Sequence, residues 1–168
     1  MRLQGKTAIV TGGASGFGAG IVRKFIAEGA RGMIADINSD AATALAVELG
    51  DRAAAHKTNV SVSADVEALA QSTLSTFQSI DILINNAGVT HLPMEMEQIS
   101  EADFDRVFAV NAKSVFLTAK HIVPGMKARG SGSILNIAST GGVSTRANLS
   151  WYNASKGCMI TPTRLPCL

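Results

Sequence analysis

Short apolar runs alternate with longer stretches of helical periodicity along most of the chain. The apolar runs predict five strands, at Lys6–Thr11, Met33–Asp36, Ala53–Val60, Asp81–Ile84 and Ser133–Ala138. Between them, apolar side chains recur every three to four residues, which predicts amphipathic helices. Strands and helices that alternate in this way predict a parallel sheet with helices on both faces, joined by right-handed crossovers.

The helical segments differ in length. The first carries Ile21, Val22, Phe25 and Ile26 and stops at Gly29, and the next two cover Ser39–Leu49 and Ser63–Phe77. A long pattern then runs from about residue 100 to about residue 127, with Asn111 in its middle. We therefore predict one doubly wound α/β domain over residues 1–168, without linkers or repeats.

Composition narrows the function classes. Apolar residues make up 46% of the chain and charged residues 17%, and the net charge is +2 without a basic block. Because of this charge pattern we expect no nucleic-acid partner. We also expect no membrane partner, because no apolar segment reaches about 18 residues. The two cysteines, Cys158 and Cys167, form neither a disulfide framework nor a metal-ligand pattern, so we expect no metal and a cytoplasmic location.

A glycine-rich loop follows the first strand. Five glycines occur within residues 12–20, between that strand and the start of a helix. Backbone without side chains can approach a pyrophosphate closely, and the helix N-terminus supplies free N–H groups and a positive dipole end. A tight turn without a ligand is the alternative, but such a turn needs fewer glycines. The context favours nucleotide binding.

Asp36 ends the second strand, eighteen residues after Gly18. A carboxylate at this place can accept hydrogen bonds from both hydroxyls of an adenosine ribose, and it repels a 2′-phosphate. No basic side chain lies in the glycine loop to hold such a phosphate, so NAD is favoured over NADP. Asp36 could also cap the next helix, together with Asn38, and the two roles are compatible.

Polar and small residues collect at the carboxyl ends of the predicted strands. These positions are the glycine loop, Asp36, Asn59, residues 85–88 and Ser139. In a parallel sheet the carboxyl ends of the strands share one edge, where ligands bind. The sequence therefore predicts one ligand site along this edge.

Tyr152 and Lys156 lie four residues apart, on one face of a predicted helix. A lysine held beside a tyrosine favours the phenolate and can make the phenol a proton donor and acceptor near neutral pH. Taken alone, such a pair is more often a surface tyrosine and a surface lysine. The rest of the chain decides between these readings.

The motifs together resemble the short-chain dehydrogenase/reductase family, in its short single-domain branch. The resemblance rests on Thr11-Gly12-x-x-x-Gly16-x-Gly18, Asn85-Asn86-Ala87-Gly88, Ser139 and Tyr152-x-x-x-Lys156, in this order and at these intervals. It covers residues 3–161 and implies a Rossmann-like fold that binds NAD.

The resemblance also implies roles for single residues. Tyr152 would be the acid/base, Lys156 would support it and hold the nicotinamide ribose, Ser139 would bind the substrate oxygen, and Asn111 would hold a water of a proton relay. An asparagine within a helix can also simply bend it, and both roles are compatible. The implied cofactor contacts are Gly12, Ser15, Gly16, Phe17, Gly18, Asp36, Asn59, Val60, Asn86, Ala87, Gly88, Tyr152 and Lys156.

Several positions depart from the family pattern. Asn59 stands where an aspartate is usual, although its amide oxygen could still accept a bond from the adenine amino group. Gly32 is expected to weaken the second strand. Pro162 is expected to end the helix that carries Lys156, because proline removes a helical hydrogen bond. Relative to the family, the last strands and the substrate lid are expected to be missing, which would leave the fifth strand as an apolar edge.

Three hypotheses follow for function. The first is an NAD(H)-dependent oxidoreductase that acts on a secondary alcohol or ketone, such as a sugar, a small alcohol or a 3-oxoacyl compound, as a homodimer or homotetramer. The second is an NAD-binding chain without catalysis, since the C-terminal third and the lid would be absent. The third is a non-functional product.

Overall fold

The computed structural model describes residues 1–161 and contains a five-stranded parallel sheet. The strands are β1 (Thr7–Thr11), β2 (Arg31–Asp36), β3 (Ala53–Lys57), β4 (Ile82–Asn85) and β5 (Ser133–Asn136), in the spatial order β3-β2-β1-β4-β5. The chain moves outward in one direction from β1 to β3 and then crosses to the other side for β4 and β5. The predicted parallel α/β sheet is therefore confirmed, with its switch point between β1 and β4.

Six α-helices occur within residues 1–161 and flank this sheet. They are α1 (Gly16–Ala27), α2 (Ser39–Leu49), α3 (Ser63–Phe77), α4 (Glu101–Phe108), α5 (Ser114–Ala128) and α6 (Ser150–Gly157). None of these helices is long and apolar enough to cross a membrane.

The two faces of the sheet are covered by different helices. Val22 and Ile26 of α1 and Leu45 of α2 pack on one face, around the β-strand residues Val10 and Ile34. The opposite face packs mainly on α3 and α5. Its buried members include Ile9, Met33, Leu69, Phe77, Leu83, Ile122 and Met126. Every residue of β1 is buried, which explains why this strand is almost continuously apolar in sequence.

The prediction of one regular helix over about residues 100–127 is wrong. A π-helical turn, Ala109–Lys113, separates α4 from α5. Asn111 lies in this turn, fully buried, and its side chain bonds to residues outside the helix. Periodicity alone could not reveal the interruption, because the apolar residues continue at nearly the same spacing on both sides of it.

Three strand boundaries differ from the prediction by two residues or more. β3 ends at Lys57 instead of Val60, because Asn59 begins a turn in which its Oδ1 accepts from Ser61 N at 3.1 Å. β5 ends at Asn136 instead of Ala138, where Ala138 N turns back to Asn136 O. β2 begins earlier, at Arg31, and includes Gly32. Gly32 pairs with Ala8 on β1 and with Ala53 on β3, so it lies within a central strand.

The end of the described chain follows α6. That helix stops at Gly157, and residues 158–161 form turns. Pro162, which the sequence predicts to end this helix, lies outside the described residues, as does Cys167. Within residues 1–161, β5 has β4 as its one strand neighbour, and Leu135 on β5 is 49% exposed.

Candidate active site

The glycine loop between β1 and α1 is held against the end of β4. A Cβ on Gly18 would lie 2.0 Å from Gly12 O and 2.7 Å from Asn86 Nδ2, so only glycine fits there. Asn86 fixes the loop from the other side, because its Nδ2 donates to Thr11 O at 2.9 Å and to Gly12 O at 3.0 Å. Backbone contact and the Asn86 amide therefore help to set the path of the loop.

The N-terminus of α1 is available to an anion. Ser15 is its N-cap residue but makes no side-chain cap hydrogen bond, and the first turn contains no acidic residue. Gly16 has a positive φ of 50°, and a Cβ placed there would meet nothing within 4 Å. The positive end of the helix dipole thus faces open space, which is the arrangement that binds a pyrophosphate.

Asp36 links the end of β2 to the glycine loop. Its Oδ2 accepts from Ala14 N at 3.0 Å, and its Oδ1 accepts from Asn38 N at 3.0 Å. Each carboxylate oxygen keeps a further lone pair that could accept from a ribose hydroxyl. The cap of α2 is made by Asn38, whose side chain accepts from Ala41 N, so the capping role suggested for Asp36 belongs to Asn38.

An open groove of about 410 Å³ runs along the carboxyl edge of the sheet. Ten of the cofactor residues predicted from the sequence line it, namely Gly12, Ser15, Gly16, Phe17, Asp36, Asn59, Val60, Asn86, Ala87 and Gly88. Gly18 is buried beneath the loop, and neither Tyr152 nor Lys156 contributes to the lining.

Four further lining residues were missed from the sequence: Ile37, Thr58, Val89 and Val110. Ile37 comes directly after the predicted end of β2, so counting one residue further would have found it, whereas Thr58 lies inside the third strand as predicted from the sequence. Val110 could not be found in this way, because the π-helical turn brings it to the groove.

Asn59 meets a different environment from the one expected. Its Oδ1 accepts from Ser61 N at 3.1 Å and from Ser61 Oγ at 2.7 Å. Both lone pairs of this oxygen are therefore used within the turn, which leaves none for an adenine amino group. Asn59 lines the groove mainly as a structural residue.

Asn111 connects the end of β4 to α6. Its Oδ1 accepts from Val89 N at 2.8 Å, and its Nδ2 donates to Val89 O and to Ser155 Oγ, both at 2.9 Å. Ser155 Oγ in turn donates to the carbonyl oxygen of Tyr152 at 2.7 Å. Both amide hydrogens of Asn111 are thus engaged, and one lone pair on Oδ1 remains for a water.

Lys156 is buried under the rim of the groove. It is 5% exposed, and its Nζ donates to Ile137 O at 2.9 Å. A Cβ on Gly88 would lie 3.1 Å from this Nζ, so the ammonium packs against the backbone of the groove wall. Burial lowers the pKa of the Lys156 ammonium below its ordinary value.

Ser139 begins a 3₁₀ turn, Thr140–Gly142, that packs on α6. Its Oγ accepts from Gly141 N at 3.1 Å. A Cβ on Gly142 would lie 2.9 Å from the carbonyl carbon of Lys156, so the turn touches the helix backbone. Ser139, Tyr152, Lys156 and Asn111 are therefore held around the first two turns of α6. Tyr152 itself donates its backbone N–H to His91 Nε2 at 3.3 Å.

Metal ligands are not gathered at this edge. Within residues 1–161 no three histidine, cysteine, aspartate or glutamate side chains lie together in a way that could hold a metal ion.

The chain is similar to many dehydrogenases. A family model described as short chain dehydrogenase matches residues 6–165. The 4-formylbenzenesulfonate dehydrogenase TsaC1/TsaC2 of Comamonas testosteroni is 41% identical over 167 residues, which are 98% of this chain and 66% of that protein. Sorbitol dehydrogenase of Cereibacter sphaeroides is 38% identical over 165 residues, or 98% of this chain and 64% of that protein. The chain thus spans about two thirds of the length of these relatives.

A solved structure has the same fold. The 3-ketoacyl-(acyl-carrier-protein) reductase from Brucella melitensis, complexed with NADH, superimposes with a TM-score of 0.93 at 42% sequence identity. The superposition covers 96% of this chain and 68% of that one.

Proposed function

The chain belongs to the short chain dehydrogenase family, and on this premise we propose that it is an NAD(H)-dependent oxidoreductase. The reaction would transfer hydride between nicotinamide and a secondary alcohol or ketone. A bound nicotinamide dinucleotide would supply or accept that hydride. The residues of the chain would bind the dinucleotide, orient the substrate and move one proton.

One observation carries this proposal: the contact between Gly88 and Lys156. Gly88 belongs to the groove wall, and Lys156 belongs to the helix of Tyr152. A Cβ at position 88 would lie 3.1 Å from Nζ, so glycine is the residue that lets the ammonium approach without a shift. This contact puts the proposed proton chemistry directly beside the proposed cofactor groove.

The groove suits a dinucleotide along its length. The uncapped N-terminus of α1 offers N–H groups to the pyrophosphate, and Gly16 leaves room for it. Asp36 accepts ribose hydroxyls at the adenosine end and would repel a 2′-phosphate. The expected preference is therefore for NAD over NADP, and the NADH bound to the reductase from Brucella melitensis agrees with it.

Proton transfer is assigned to Tyr152. In oxidation its phenolate takes the proton of the alcohol, and in reduction its hydroxyl gives a proton to the carbonyl oxygen. As the family resemblance implies, Lys156 would support Tyr152 and hold the nicotinamide ribose, and its Nζ is fixed near the groove by the bond to Ile137 O. Ser139 Oγ would donate to the substrate oxygen and stabilise developing charge there. Asn111 holds α6 to the groove through Ser155 and keeps a lone pair for a relay water.

Substitution of Asp36 tests the cofactor assignment. Asp36→Ala removes the ribose acceptor and the charge that repels a 2′-phosphate, so NADH should bind at least about tenfold more weakly while NADPH binds no worse. Calorimetric titration of both nucleotides measures this. Asp40 lies on α2, away from the groove lining, and Asp40→Ala is the matched control. An equal loss of affinity for NADH and NADPH in Asp36→Ala would contradict the assignment.

A second candidate is nucleotide binding without catalysis. The observation in its favour is that the groove is lined entirely by residues between Gly12 and Val110, without any contribution from β5 or α6. The groove could thus bind NAD even where the catalytic side does not function. Turnover of NADH with a panel of ketones, sugars and 3-oxoacyl thioesters decides: binding with hydride transfer favours the enzyme, and binding alone favours the second candidate. Homodimer or homotetramer formation and a cytoplasmic location stay predictions.

A further inference from the structure

We propose that His91 is a positioning residue for Tyr152: its neutral imidazole caps the N-terminus of α6 and ties that helix to the segment that follows β4. The proposal rests on the function proposed above in one respect only, the role of Tyr152 as acid/base. The capping itself can be tested without any activity.

The N-terminus of α6 lacks a cap of its own. Its N-cap residue is Leu149, which has no side-chain acceptor and makes no side-chain cap hydrogen bond. The first N–H groups of a helix have no partner within the helix, and leucine is among the poorest residues at this position. Tyr152 is the third residue of α6, and His91 Nε2 accepts from its N–H at 3.3 Å. His91 therefore supplies from another segment the acceptor that Leu149 lacks.

The contacts of the imidazole fix its tautomer. His91 Nδ1 lies 2.8 Å from Leu92 O, which can only accept, so Nδ1 carries the hydrogen. Nε2 is then the bare nitrogen that accepts from Tyr152 N–H. The side chain is 2% exposed, and both ring nitrogens bond to backbone, so neither is free to touch a substrate.

Other hydrogen bonds hold the same segment across the start of α6. Met94 N donates to Asn148 O at 3.0 Å, and Trp151 Nε1 donates to Met96 O at 3.2 Å. Arg106 Nη2 of α4 donates to Thr90 O at 3.1 Å. Among these contacts, only the one made by His91 changes its donor and acceptor roles when a proton is added.

A proton on His91 would break the cap. Nε2 would become a donor that faces another donor, at the positive end of the helix dipole. The charged groups near the ring are Asp103 and Arg106 on α4, and the titratable groups on α6 are the Tyr152 phenol and the Lys156 ammonium. Hydrogen bonds from Arg106 and Ser100 hold the pKa of Asp103 below its usual value, and the charge of a protonated His91 adds to this. Asp103 is already paired with Arg106 at 2.8 Å, so it offers a protonated His91 little compensation.

Amide exchange and imidazole nitrogen chemical shifts test the cap directly. In the wild type, nitrogen NMR should find His91 as the Nδ1–H tautomer. In His91→Ala, the Tyr152 amide should exchange at least about tenfold faster than in the wild type, because its acceptor is gone. The Asn153 amide donates to Leu149 O at 2.8 Å and is the internal control for an intact helix. His91→Gln keeps an acceptor at similar reach and should keep Tyr152 protected.

Two outcomes would overturn the cap. One is an Nε2–H tautomer in the wild type, and the other is the same Tyr152-to-Asn153 exchange ratio in wild type, His91→Gln and His91→Ala. If His91→Ala does not fold, the tautomer of the wild type and the Tyr152-to-Asn153 exchange ratios of wild type and His91→Gln still decide.

The kinetic signature is measured in the direction of ketone reduction. We expect kcat of His91→Ala to fall by about fivefold or more relative to the wild type, and kcat of His91→Gln to stay within about twofold of it, with KM for NADH unchanged in both variants. His121→Gln, at the contact of α5 with Ser63, is the matched control and should keep the wild-type kcat.

Each kinetic result has one meaning. An unchanged kcat in His91→Ala would refute the positioning role, whether or not KM for the ketone rises. Absence of turnover in the wild type at every pH would refute the proposed function. In that case the tautomer and the exchange ratios would still decide whether His91 caps α6.

Discussion

The two sides of the sheet hold their functional residues by different means. On the side of β1 and β2, buried apolar strands and close backbone contacts fix the glycine loop. On the side of β5, alternate residues of the strand are exposed, and α6 has only eight residues. There the residues are positioned by single polar contacts, such as those of Asn111, His91 and Lys156.

On the proposed function, this difference separates binding from chemistry. The groove depends on packing that involves many residues at once, so no exposed side chain on the side of Tyr152 should affect it. The side of Tyr152 depends on a few hydrogen bonds, so we expect that removal of one atom there abolishes the proposed reaction without unfolding the protein. The following predictions test this contrast, in order of decreasing expected effect.

Removal of the Tyr152 hydroxyl should have the largest effect. Tyr152→Phe keeps the ring and loses the proton donor, so kcat for hydride transfer should fall by about 10²- to 10⁴-fold. Because Tyr152 does not line the groove, the Kd for NADH should stay within about twofold of the wild type. Steady-state kinetics and calorimetry measure the two quantities. An active Tyr152→Phe enzyme would contradict the assignment, and a large loss of NADH affinity would contradict the separation.

Substitution of two neighbouring strand residues compares how tightly β4 and β5 are packed. Ile84 on β4 pairs in register with Leu135 on β5, but Ile84 is 2% exposed and Leu135 is 49% exposed. Ile84→Ala should cost about 2–5 kcal/mol of unfolding free energy, and Leu135→Ala less than about 1 kcal/mol. Urea unfolding measures both. Similar costs would mean that another chain covers β5, which the dependence of unfolding on protein concentration would reveal.

Two glycines in α1 make a matched pair for the groove side. A Cβ on Gly18 would overlap Gly12 O, whereas a Cβ on Gly20 would meet nothing within 4 Å. Gly18→Ala should destabilise by about 1–3 kcal/mol and weaken NADH binding, because the loop must shift. Gly20→Ala should stabilise by up to about 1 kcal/mol, since alanine is the better helix former. Equal effects of the two substitutions on stability would show that the glycine loop can shift to admit the Cβ without a loss of unfolding free energy.

Much of the fold could be predicted because its signals are local. Apolar runs, helical periodicity and glycines after a strand identify the parallel sheet, and the carboxyl-edge rule groups Gly12, Asp36 and Gly88 in one groove. The π-helical turn could not be predicted, because it depends on Asn111 finding Val89 and Ser155, which are distant in sequence.

The functions of single polar side chains were hardest to predict. Asn59 has the right type of group for an adenine contact, but Ser61 takes both lone pairs of its Oδ1. Sequence alone assigns no partner to His91 in the segment after β4, and only the uncapped start of α6 explains its contact with Tyr152. Sequence names the groups that can form a hydrogen bond, whereas the tertiary structure decides which partner each one reaches.

The smallest expected effect is a change in how stability depends on pH when Lys156 is replaced by methionine. Burial lowers the pKa of Lys156 in the folded protein, so between that lowered value and the ordinary value of about 10.4 the unfolded chain binds more protons. In this window the wild type gains stability as the pH rises, and Lys156→Met lacks this gain. The hydrogen bond lost at Ile137 O costs the same at every pH, so the change of the unfolding free energy with pH isolates the burial of charge. Urea unfolding of both proteins at about pH 7 and about pH 10 measures the difference, and Lys127→Met controls for loss of an exposed lysine. If the free energy of unfolding changed equally with pH in wild type and Lys156→Met, the Lys156 ammonium would be hydrated in solution. The close contact with Gly88 on which the proposed function rests would then have to open.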